Sequence, residues 1–372
     1  MSDNIPRVLV YGMSPFYGGV ENFIMNYYRN IDKNKIQFDF LVYDKYPAFS
    51  DEIIDDGGDF EIVTGRRTNF FKNFIELNRF FKYNHHKYVA IWCNLCSLSD
   101  ILPLKLAKKY GINTRIVHSH NSQNMNGKLT YILHSENKKA LGKYATEFWA
   151  CSRLAGKWMF GKAIFDRPEF RVINNAIDVS KFKFSREIRT EKRKELGIDN
   201  KFVVGHVGRF HFQKNHEFLI DIFKKVYDKD KDAVLVLIGV GVDEEKIKMK
   251  VSDLGLDKAV KFLGVRSDIP DLMQTMDVFV LPSRFEGLPV VGVEAQAAGL
   301  PCLFSNKITK EVSIIEGCVF LSLEEEPGVW ADEVLKYKSG YERKDTTQQI
   351  IDAGFEIQGA ANRLQNFYLK CR

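Results

Sequence analysis

The sequence predicts an α/β protein made of two doubly wound domains, each built on a parallel β-sheet. Short apolar strands alternate with helical patterns in both halves of the 372-residue chain, which is typical of parallel strands joined by crossover helices. The alternation stops between Asp178 and Phe202, where the chain is charged and polar. We therefore expect an N-terminal domain over residues 1–178 and a C-terminal domain over residues 179–372. The last helix, over about residues 355–372, is expected to cross back to the first domain.

The amino-acid composition predicts a folded globular protein rather than a disordered, membrane-spanning or disulfide-rich one. The chain is 45% hydrophobic and 27% charged, which is the composition of a folded globular protein and argues against disorder. No apolar run approaches the roughly 18–20 residues that span a membrane, and the start of the chain lacks the pattern of a signal peptide. Six cysteines are scattered along the chain, and only Cys93 and Cys96 form a CxxC pair, so we expect reduced thiols and no zinc site. These features indicate a cytoplasmic protein.

Positive charge is concentrated in the first half of the chain. The net charge is +6, and residues 60–172 hold 19 Lys/Arg against 7 Asp/Glu, whereas residues 181–372 hold 30 of each. A basic surface on one half indicates an anionic partner, such as a lipid headgroup, a diphosphate or a nucleic acid. We do not expect a nucleic acid, because no module that reads one is recognisable.

The first fifty residues predict a strand, a glycine loop, a helix and a second strand. Gly18 and Gly19 stand just before the helical pattern, where a phosphate could lie against the first turn of a helix. The GxGxxG pattern of dinucleotide-binding proteins is absent, so these glycines alone do not predict a dinucleotide.

Two histidines follow an apolar strand further along. His118 and His120 end the segment TRIVHSH, which places them at the edge of a parallel sheet where ligands bind. Strand alternation puts both side chains on one side. A histidine pair is one kind of metal site, but no third ligand stands at a telling spacing. We therefore favour a polar side chain that reaches into the crevice over a metal ligand.

The segment over residues 69–88 predicts a helix with a strongly apolar side. Phe70, Phe74, Leu77 and Phe81 recur at helical spacing. We expect this stripe to cover the sheet, because most apolar helix faces point to the core. The alternative is attachment to a membrane surface, which the surrounding basic residues favour.

Two cations follow the first strand of the second half. Arg209 and Lys214 come after the segment FVVGHVG, at the carboxyl end of a strand in a parallel sheet. A forked guanidinium and a compact ammonium together suit a diphosphate. The two DxD patterns over residues 228–232 could hold a divalent ion elsewhere, but here they lie in a lysine-rich turn and predict a solvated connection.

A stretch in the last third of the chain carries two carboxylates eight positions apart. Glu286 is predicted to lie in a loop and Glu294 inside a short helix, with Pro289 in its first turn. The amides of Gly287 and Leu288 would then face an anion or sugar hydroxyls at the positive end of that helix. The alternative is a surface loop and an amphipathic helix without a ligand.

Taken together, these segments resemble the family-4 retaining glycosyltransferases of the GT-B type. The resemblance extends over nearly the whole chain, and its most specific motif is the E-x7-E pattern from Glu286 to Glu294. The other matching segments are Gly18 to Glu21, His118 to Asn121, Asn175 to Asp178, and Val207 to Arg209 with Lys214. The sequence His-Ser-His-Asn is similar to that of members that build bacterial capsular polysaccharides and exopolysaccharides. One departure is Asn174-Asn175-Ala176 in place of Pro-Asn-Gly, which removes the conformational freedom of a glycine.

The resemblance implies two Rossmann-like domains that face a cleft, with a nucleotide-sugar donor held mostly by the C-terminal one. Arg209 and Lys214 would hold the diphosphate and stabilise the leaving nucleotide by charge, without a metal ion or a cofactor. Glu294 would bind the ribose hydroxyls. Glu286, together with the two amides that follow it, would bind the donor sugar near its anomeric carbon.

The resemblance also assigns residues of the N-terminal domain. Gly18 and Gly19 would approach the diphosphate, His120 would contact the donor sugar, and Glu21 completes the donor-binding set. The residues implied to act in catalysis are Glu286, His120, Arg209 and Lys214. Retention in this family is drawn as front-face attack, in which the leaving phosphate oxygen takes the proton of the acceptor, so no residue is assigned as a nucleophile.

We therefore expect a retaining hexosyltransferase that uses a UDP-sugar, or alternatively a GDP-sugar, and extends a saccharide linked to a lipid diphosphate. Its basic N-terminal half would face the anionic inner surface of the plasma membrane. One alternative is an isomerase like the 2-epimerase of UDP-N-acetylglucosamine, which needs acid–base groups on both faces of a sugar carbon. Another is a non-catalytic partner that keeps the fold and binds a second transferase.

Overall fold

The computed structural model of the chain describes residues 5–122 and 127–371. Met1–Ala176 together with Ile357–Arg372 form one compact unit, called the N-terminal unit, and Ile177–Glu356 form the other, called the C-terminal unit. The first of these units thus ends at Ala176 in its N-terminal part, and a domain border between residues 178 and 179 stays a prediction. The last helix belongs to the N-terminal unit, although the residues before it belong to the C-terminal unit.

A parallel sheet runs through the N-terminal unit, with seven strands in the described residues. Its strand order is β3-β2-β1-β4-β5-β6-β7. The strands are β1 (Arg7–Tyr11), β2 (Gln37–Tyr43), β3 (Asp59–Val63), β4 (Tyr88–Leu95), β5 (Thr114–Ser119), β6 (Glu147–Ala150) and β7 (Phe170–Val172). The helices are α1 (Gly19–Asn30), α2 (Ser50–Asp55), α3 (Phe70–Asn84), α4 (Leu102–Lys109), α5 (Lys128–Ala140), α6 (Arg153–Phe160) and, at the end of the chain, α15 (Ile357–Leu369).

Both faces of this sheet are covered by helices, which is why its inner strands are almost uninterrupted apolar runs. On one face, α1 and α15 place Tyr27 and Tyr368 in the same buried cluster as Trp92 of β4. On the other face, α3 and α4 contribute Leu77 and Leu104 to a second buried cluster. The N-terminal unit is therefore a layer of strands between two layers of helices.

Helix α3 buries only part of the stripe that its sequence predicts. Leu77 and Phe81 are buried, together with Asn73 and Phe80, whereas Phe70 and Phe74 of the first two turns stay exposed. The Asn73 side-chain amide donates to the Thr64 carbonyl at 2.7 Å. The predicted stripe is therefore correct only in its second half.

The C-terminal unit contains a second parallel sheet, with six described strands in the order β10-β9-β8-β11-β12-β13. The strands are β8 (Phe202–Val207), β9 (Ala233–Ile238), β10 (Val260–Phe262), β11 (Val278–Leu281), β12 (Cys302–Ser305) and β13 (Cys318–Leu321). The helices are α7 (Val179–Phe182), α8 (Arg186–Leu196), α9 (His216–Lys229), α10 (Glu244–Asp253), α11 (Ile269–Thr275), α12 (Val290–Ala297), α13 (Pro327–Leu335) and α14 (Thr347–Asp352). Among the helices described in the two units, none combines the length and the apolarity needed to cross a bilayer.

The strand order reverses between β8 and β11, and open parallel sheets bind their ligands at such a reversal, beyond the carboxyl ends of the strands. The opposite ends of these two strands are tied to α8. The Asp277 carboxylate, just before β11, accepts from Arg189 at 2.5 Å and from Arg193 at 2.6 Å. It also accepts from the Val203 amide of β8 at 2.8 Å. Asp277 and α8 therefore hold β8 and β11 together at the ends opposite to their carboxyl ends.

Candidate active site

Two loops are joined beyond the carboxyl ends of β8 and β11. The β8 loop, residues 208–215, leads into α9, and the β11 loop, residues 282–289, leads into α12. The Arg284 amide of the β11 loop donates to the Gln213 carbonyl of the β8 loop at 2.8 Å. The predicted cations of one loop and the predicted carboxylate of the other are therefore held at the same edge of the sheet.

The β8 loop has a fixed shape that positions Lys214. Asn215 closes the loop in the left-handed conformation, with φ of 58° and ψ of 45°, which asparagine tolerates better than most residues. The Asn215 amide donates to the Pro282 carbonyl at 3.2 Å. The stem of Lys214 lies against Gly208, since a Cβ at Gly208 would be 3.1 Å from Cδ and Cε of the lysine. Any larger residue at position 208 would therefore push the lysine stem aside by a few tenths of an ångström.

Lys214 and Glu286 form an ion pair in this site. The distance from Lys214 Nζ to Glu286 Oε1 is 2.7 Å, and both side chains are largely buried. The Gln213 amide donates to Glu286 Oε2 at 3.0 Å and to the Phe285 carbonyl at 3.0 Å. The carboxylate is therefore held in one orientation by a cation and an amide. Gly287 and Leu288, which follow it, are also buried.

Glu294 lies in the second turn of α12, as its position in the pattern predicts. Helix α12 begins at Val290, and Pro289 is its N-cap with an extended ψ of 107° rather than a residue of the first turn. Burial raises the pKa of Glu294 to about 7, and the positive charge of Lys214 opposes that rise. Near neutral pH this carboxyl group can therefore both donate and accept a hydrogen bond. Such a group is suited to hydrogen bonds with hydroxyl groups, which are themselves both donors and acceptors.

Replacing Glu294 by glutamine is expected to stabilise the unliganded protein at pH 8. The folded pKa of about 7 lies above the ordinary value of 4.5, so the folded state binds the proton more tightly and the wild type loses stability as the pH rises from about 4.5 to about 7. Glutamine does not ionise. The unfolding free energy of the variant should exceed that of the wild type by about 3 kcal/mol at pH 8 and by little at pH 4. Urea unfolding at the two pH values measures this difference.

The matched control for that experiment is Glu324→Gln, because Glu324 is exposed and pairs only with Lys307 in the described residues. This variant should follow the wild type at both pH values. A stability difference for Glu294→Gln that is the same at pH 4 and pH 8 would contradict a raised pKa.

Arg209 carries a positive charge without a partner in residues 5–122 and 127–371. Its side chain is exposed, and it follows Gly208 directly. The loop after β9 approaches closely here, because Gly239 adopts φ of +134° and a Cβ on it would be 2.3 Å from the Gly208 carbonyl oxygen. Lys214 is engaged by Glu286, whereas Arg209 is free to meet an anion from solvent.

Two buried histidines that the sequence did not indicate as site residues lie close to Lys214. The His206 ring bonds through Nδ1 to the Val280 carbonyl oxygen at 2.8 Å, and its centroid is 4.7 Å from that of His216. Burial lowers the pKa of His206 to about 4, with the charge of Lys214 adding to the effect. Burial also lowers the pKa of His216 to about 2. Both rings are therefore neutral beside the lysine and add no competing positive charge.

The glycine loop of the N-terminal unit precedes α1. Gly18 is the N-cap of the helix and Gly19 is its first residue. The Glu21 carboxylate folds back over this loop and accepts from the Ser14 amide at 3.0 Å. A Cβ on Gly18 would be 2.6 Å from Glu21 Oε2. Glu21 thus braces the glycine loop, and its contact with a donor stays a prediction.

His118 and His120 are neighbours at the end of β5, with ring centroids 4.2 Å apart. His118 is fully buried and its Nδ1 accepts from Trp92 Nε1 at 3.3 Å. His120 is partly exposed and its Nε2 bonds to Asn94 Oδ1 at 2.8 Å. Burial lowers the pKa of His120 to about 3, so it is a neutral hydrogen-bonding group. His120 alone of the two is placed to reach solvent.

The structure also describes the places considered for a metal ion. Across residues 5–122 and 127–371 there is no cluster of three His, Cys, Asp or Glu side chains able to hold one. The DxD turn is tied down rather than solvated throughout, because Asp228 pairs with Lys224 at 2.5 Å and Asp230 is buried and pairs with Lys338 at 3.2 Å. Cys93 is a buried core residue.

The predicted site residues fall into two groups, each within its own unit. In the C-terminal unit, the structure brings together Arg209, Lys214, Glu286, Gly287, Leu288 and Glu294. In the N-terminal unit, Gly18, Gly19 and Glu21 surround the start of α1, and His120 follows β5. Gln213, which holds Glu286, and Asn215, which closes the β8 loop, were not predicted as site residues. The signal that could have indicated them is their position in the segment FQKN, shortly after the predicted strand FVVGHVG.

Comparison with known proteins shows the family to which this chain belongs. Residues 188–349 match the family described as glycosyl transferases, group 1, and this range contains all the predicted site residues of the C-terminal unit. EpsF, a glycosyltransferase of Bacillus subtilis strain 168, is 33% identical over 361 residues, which cover 94% of this chain and 93% of EpsF. The similarity therefore extends through both units.

Two further proteins extend the comparison. The UDP-Gal:α-D-GlcNAc-diphosphoundecaprenol α-1,3-galactosyltransferase of Escherichia coli is 38% identical over 145 residues, 38% of each chain. The crystal structure of Anabaena Alr3699/HepE in complex with UDP matches with a TM-score of 0.78 at 18% identity, and covers 97% of this chain and 99% of that one. This likeness, together with the two parallel sheets, confirms the predicted GT-B fold class. Since EpsF matches at 33% identity across nearly the full length, the resemblance drawn from the E-x7-E pattern is confirmed, and this chain belongs to the group 1 glycosyltransferases.

Proposed function

We propose that this glycosyltransferase moves a hexosyl unit from a UDP-sugar to a lipid-linked saccharide, with retention at the anomeric carbon, in the synthesis of a cell-surface polysaccharide. The observation that carries the proposal is the Lys214–Glu286 ion pair at the reversal of strand order, with Glu294 beside it. The E. coli relative, whose name gives a UDP-galactose donor and a diphosphoundecaprenol-linked acceptor, supports the choice of donor and acceptor, as does the UDP bound to HepE.

The diphosphate of the donor would lie between Arg209 and Lys214. The exposed guanidinium of Arg209 offers two parallel donors to phosphate oxygens, and the ammonium of Lys214 adds a compact charge. Both charges become more valuable as the sugar–phosphate bond breaks, because the leaving UDP then gains negative charge. These two residues would supply the charge stabilisation for which other transferases use a metal ion, so we propose that the reaction is metal-independent.

The two carboxyl groups would hold the hydroxyl-bearing parts of the donor. Glu294, with a pKa raised to about 7, can accept from one ribose hydroxyl and donate to another. Glu286, fixed by Gln213 and followed by the amides of Gly287 and Leu288, would bind the donor sugar next to its anomeric carbon. There its negative charge would favour the positive charge that develops on the sugar ring in the transition state.

The N-terminal unit would supply Gly18 and Gly19 for close approach to the diphosphate, with Glu21 bracing that loop. His120 would contact the donor sugar. With Asn94 Oδ1 as the acceptor of its Nε2–H, the free lone pair is on Nδ1, which can accept from a sugar hydroxyl. A pKa of about 3 keeps this histidine neutral, so its role would be to orient the sugar rather than to transfer a proton.

Retention would follow from attack on the face that the nucleotide leaves. The bond between the anomeric carbon and the phosphate oxygen breaks, the bond to the acceptor oxygen forms on the same face, and the acceptor proton passes to that phosphate oxygen. The protein contributes orientation and charge stabilisation in this scheme, and no side chain acts as a nucleophile. Because the acceptor is lipid-linked, the protein would act in the cytoplasm, peripherally at the anionic inner face of the plasma membrane.

Donor binding is tested by thermal unfolding with UDP, GDP, ADP and a panel of UDP- and GDP-sugars in the presence of a chelator. A ligand at about 100 times its Kd should add about 2.7 kcal/mol to the stability, and we expect one UDP-sugar to give the largest shift. Arg209→Ala should weaken that donor by roughly tenfold to a hundredfold, because it removes charged hydrogen bonds to phosphate.

The control is Arg186→Ala, which removes another exposed arginine of the C-terminal unit and should bind the donor like the wild type. Selectivity for GDP-sugars would replace the proposed donor class. The absence of any shift would favour a non-catalytic partner. Transfer to a synthetic lipid-diphosphate saccharide, with the new anomeric configuration determined by NMR, then tests retention, and an inverted product would contradict the front-face scheme.

A further inference from the structure

Helix α3 exposes a cluster of large apolar side chains that the core does not use. Its core-facing side is already filled by Asn73, Leu77, Phe80 and Phe81. The exposed members are Phe70, Phe71, Phe74, Ile75 and Tyr83, and 77% of the Phe71 surface is open. Soluble proteins seldom leave so many adjacent aromatic and aliphatic groups in water, and such a patch marks an interaction site.

Helix α5 adds a second exposed apolar group of the same kind. Leu129, Tyr131 and Ile132 are exposed in its first two turns, and 70% of the Leu129 surface is open. His134 is the one buried residue of α5. This helix therefore contributes little to the core of the N-terminal unit, and its apolar side chains face outward.

One loop, residues 97–100, connects the two helices. On the α5 side, His134 Nδ1 accepts from the Leu98 amide at 3.1 Å and the Asn137 side chain donates to the Leu98 carbonyl at 2.7 Å. On the α3 side, the Arg66 guanidinium donates to the Ser99 carbonyl at 3.1 Å and lies over the Phe70 ring at 5.6 Å. The two apolar groups thus flank the same short loop. We call α3, this loop and α5 the α3–α5 surface.

The charge around the α3–α5 surface has one sign. Helix α3, residues 97–100 and helix α5 together hold six Lys/Arg against three Asp/Glu, so their net charge is +3. Two of the three acids are already neutralised by lysines, since Glu76 pairs with Lys72 at 3.7 Å and Glu136 pairs with Lys139 at 2.7 Å. An apolar patch with a positive border is complementary to a bilayer whose headgroups are anionic and whose interior is apolar.

A shallow depression on α3 combines both kinds of contact. It is lined by Phe74, Ile75 and Tyr83 on its apolar side and by Arg79 and Lys82 on its cationic side. An acyl chain and a phosphate group of one phospholipid would meet matching groups there. A protein partner would need a specific negative and apolar counterpart, whereas an anionic membrane offers both at every point.

We propose that the α3–α5 surface is the face by which this protein docks on an anionic membrane, with Phe71, Phe74 and Ile75 entering the headgroup region and the surrounding lysines and arginines contacting lipid phosphates. The proposal deepens the proposed function in one respect, because a lipid-linked acceptor is presented at such a membrane. The docking itself requires neither donor nor acceptor, so it can be tested separately from the transfer reaction.

Vesicle sedimentation of the full chain, without donor or acceptor, is the test. The wild type should bind vesicles of equal parts phosphatidylcholine and phosphatidylglycerol and bind vesicles of phosphatidylcholine alone much more weakly. Phe71→Ser with Ile75→Ser, both at highly exposed positions, should weaken partitioning by about tenfold or more. Arg79→Gln with Lys82→Gln should weaken it by roughly fivefold per charge on anionic vesicles.

The matched control is Ile54→Ser with Met249→Ser, which removes exposed apolar side chains from α2 and α10 and should bind like the wild type. Unchanged melting temperatures and unchanged transfer to a water-soluble acceptor analogue would show that the α3 variants are folded and active. Failure of the wild type to bind anionic vesicles, or binding that survives both α3 variants, would overturn the proposal. Self-association that Phe71→Ser with Ile75→Ser abolishes, without vesicle binding, would instead make this surface a contact between two copies.

Discussion

Replacing Lys214 by methionine is expected to lower kcat by about 10³, the largest effect of a single change in this protein. Methionine keeps an unbranched stem that packs against Gly208, but it removes the charge proposed to meet the leaving diphosphate. It also leaves the Glu286 carboxylate without the cation that sits 2.7 Å away, and an uncompensated buried charge is costly. Initial rates at saturating donor measure the effect.

Lys224→Met is the matched control, since Lys224 lies on α9 and pairs with Asp228 at 2.5 Å away from the loops. It should leave kcat unchanged. A Lys214→Met enzyme that is folded by circular dichroism and retains a near-normal kcat would assign the stabilisation of the leaving group to other residues.

Glu286→Gln is expected to lower kcat by about 10², with a smaller change in KM for the donor. Glutamine has nearly the same shape and can keep a hydrogen bond to Gln213, so the loop should stay in place. The lost negative charge matters most when the sugar ring becomes positively charged, which is why the rate should fall more than the affinity. Rates over a range of donor concentrations separate the two parameters.

The double variant Lys214→Met with Glu286→Gln tests whether the two residues act as a pair. Groups in contact are non-additive, so we expect the double variant to lose much less than the product of the two single losses. Glu333→Gln, which changes a half-buried carboxylate paired with Lys336 on α13, is the control for the glutamine change. Fully additive losses would show that the Lys214–Glu286 ion pair has no part in catalysis.

The architecture and the position of the candidate site in the C-terminal unit could be predicted, because both follow from where the strands end. An apolar run that is followed by a polar loop fixes where a parallel strand stops, and Arg209, Lys214 and Glu286 come directly after two such runs. That β8 and β11 are neighbours follows from the doubly wound order. The side chains that carry charge were therefore predictable from their distance to the end of a strand.

The rest depends on contacts that periodicity does not record. The apolar stripe of α3 is buried only from Leu77 onward, because a helical period gives the side that is apolar but not how far along the helix that side is covered. His206 lies in β8, as the apolar run predicts, but the run does not show that its ring is close enough to Lys214 for the charge of the lysine to lower the pKa of the histidine. Gln213 looked like an ordinary loop residue, since its function comes from Glu286, which lies 73 positions further along the chain.

The Lys214–Glu286 ion pair has a consequence for which molecules the site accepts. The Lys214 ammonium and the Glu286 carboxylate neutralise each other, at the positions where the diphosphate and the sugar of the donor would bind. A lone diphosphate would draw the Lys214 ammonium away from the buried Glu286 carboxylate, which would then lose its cation, and a lone sugar would have to displace the ammonium from the carboxylate. Either fragment meets a desolvation penalty that an intact nucleotide-sugar removes at both ends at once. We therefore expect the site to select its donor by completeness, and to hold the separate nucleotide and sugar less tightly than their contacts alone would suggest.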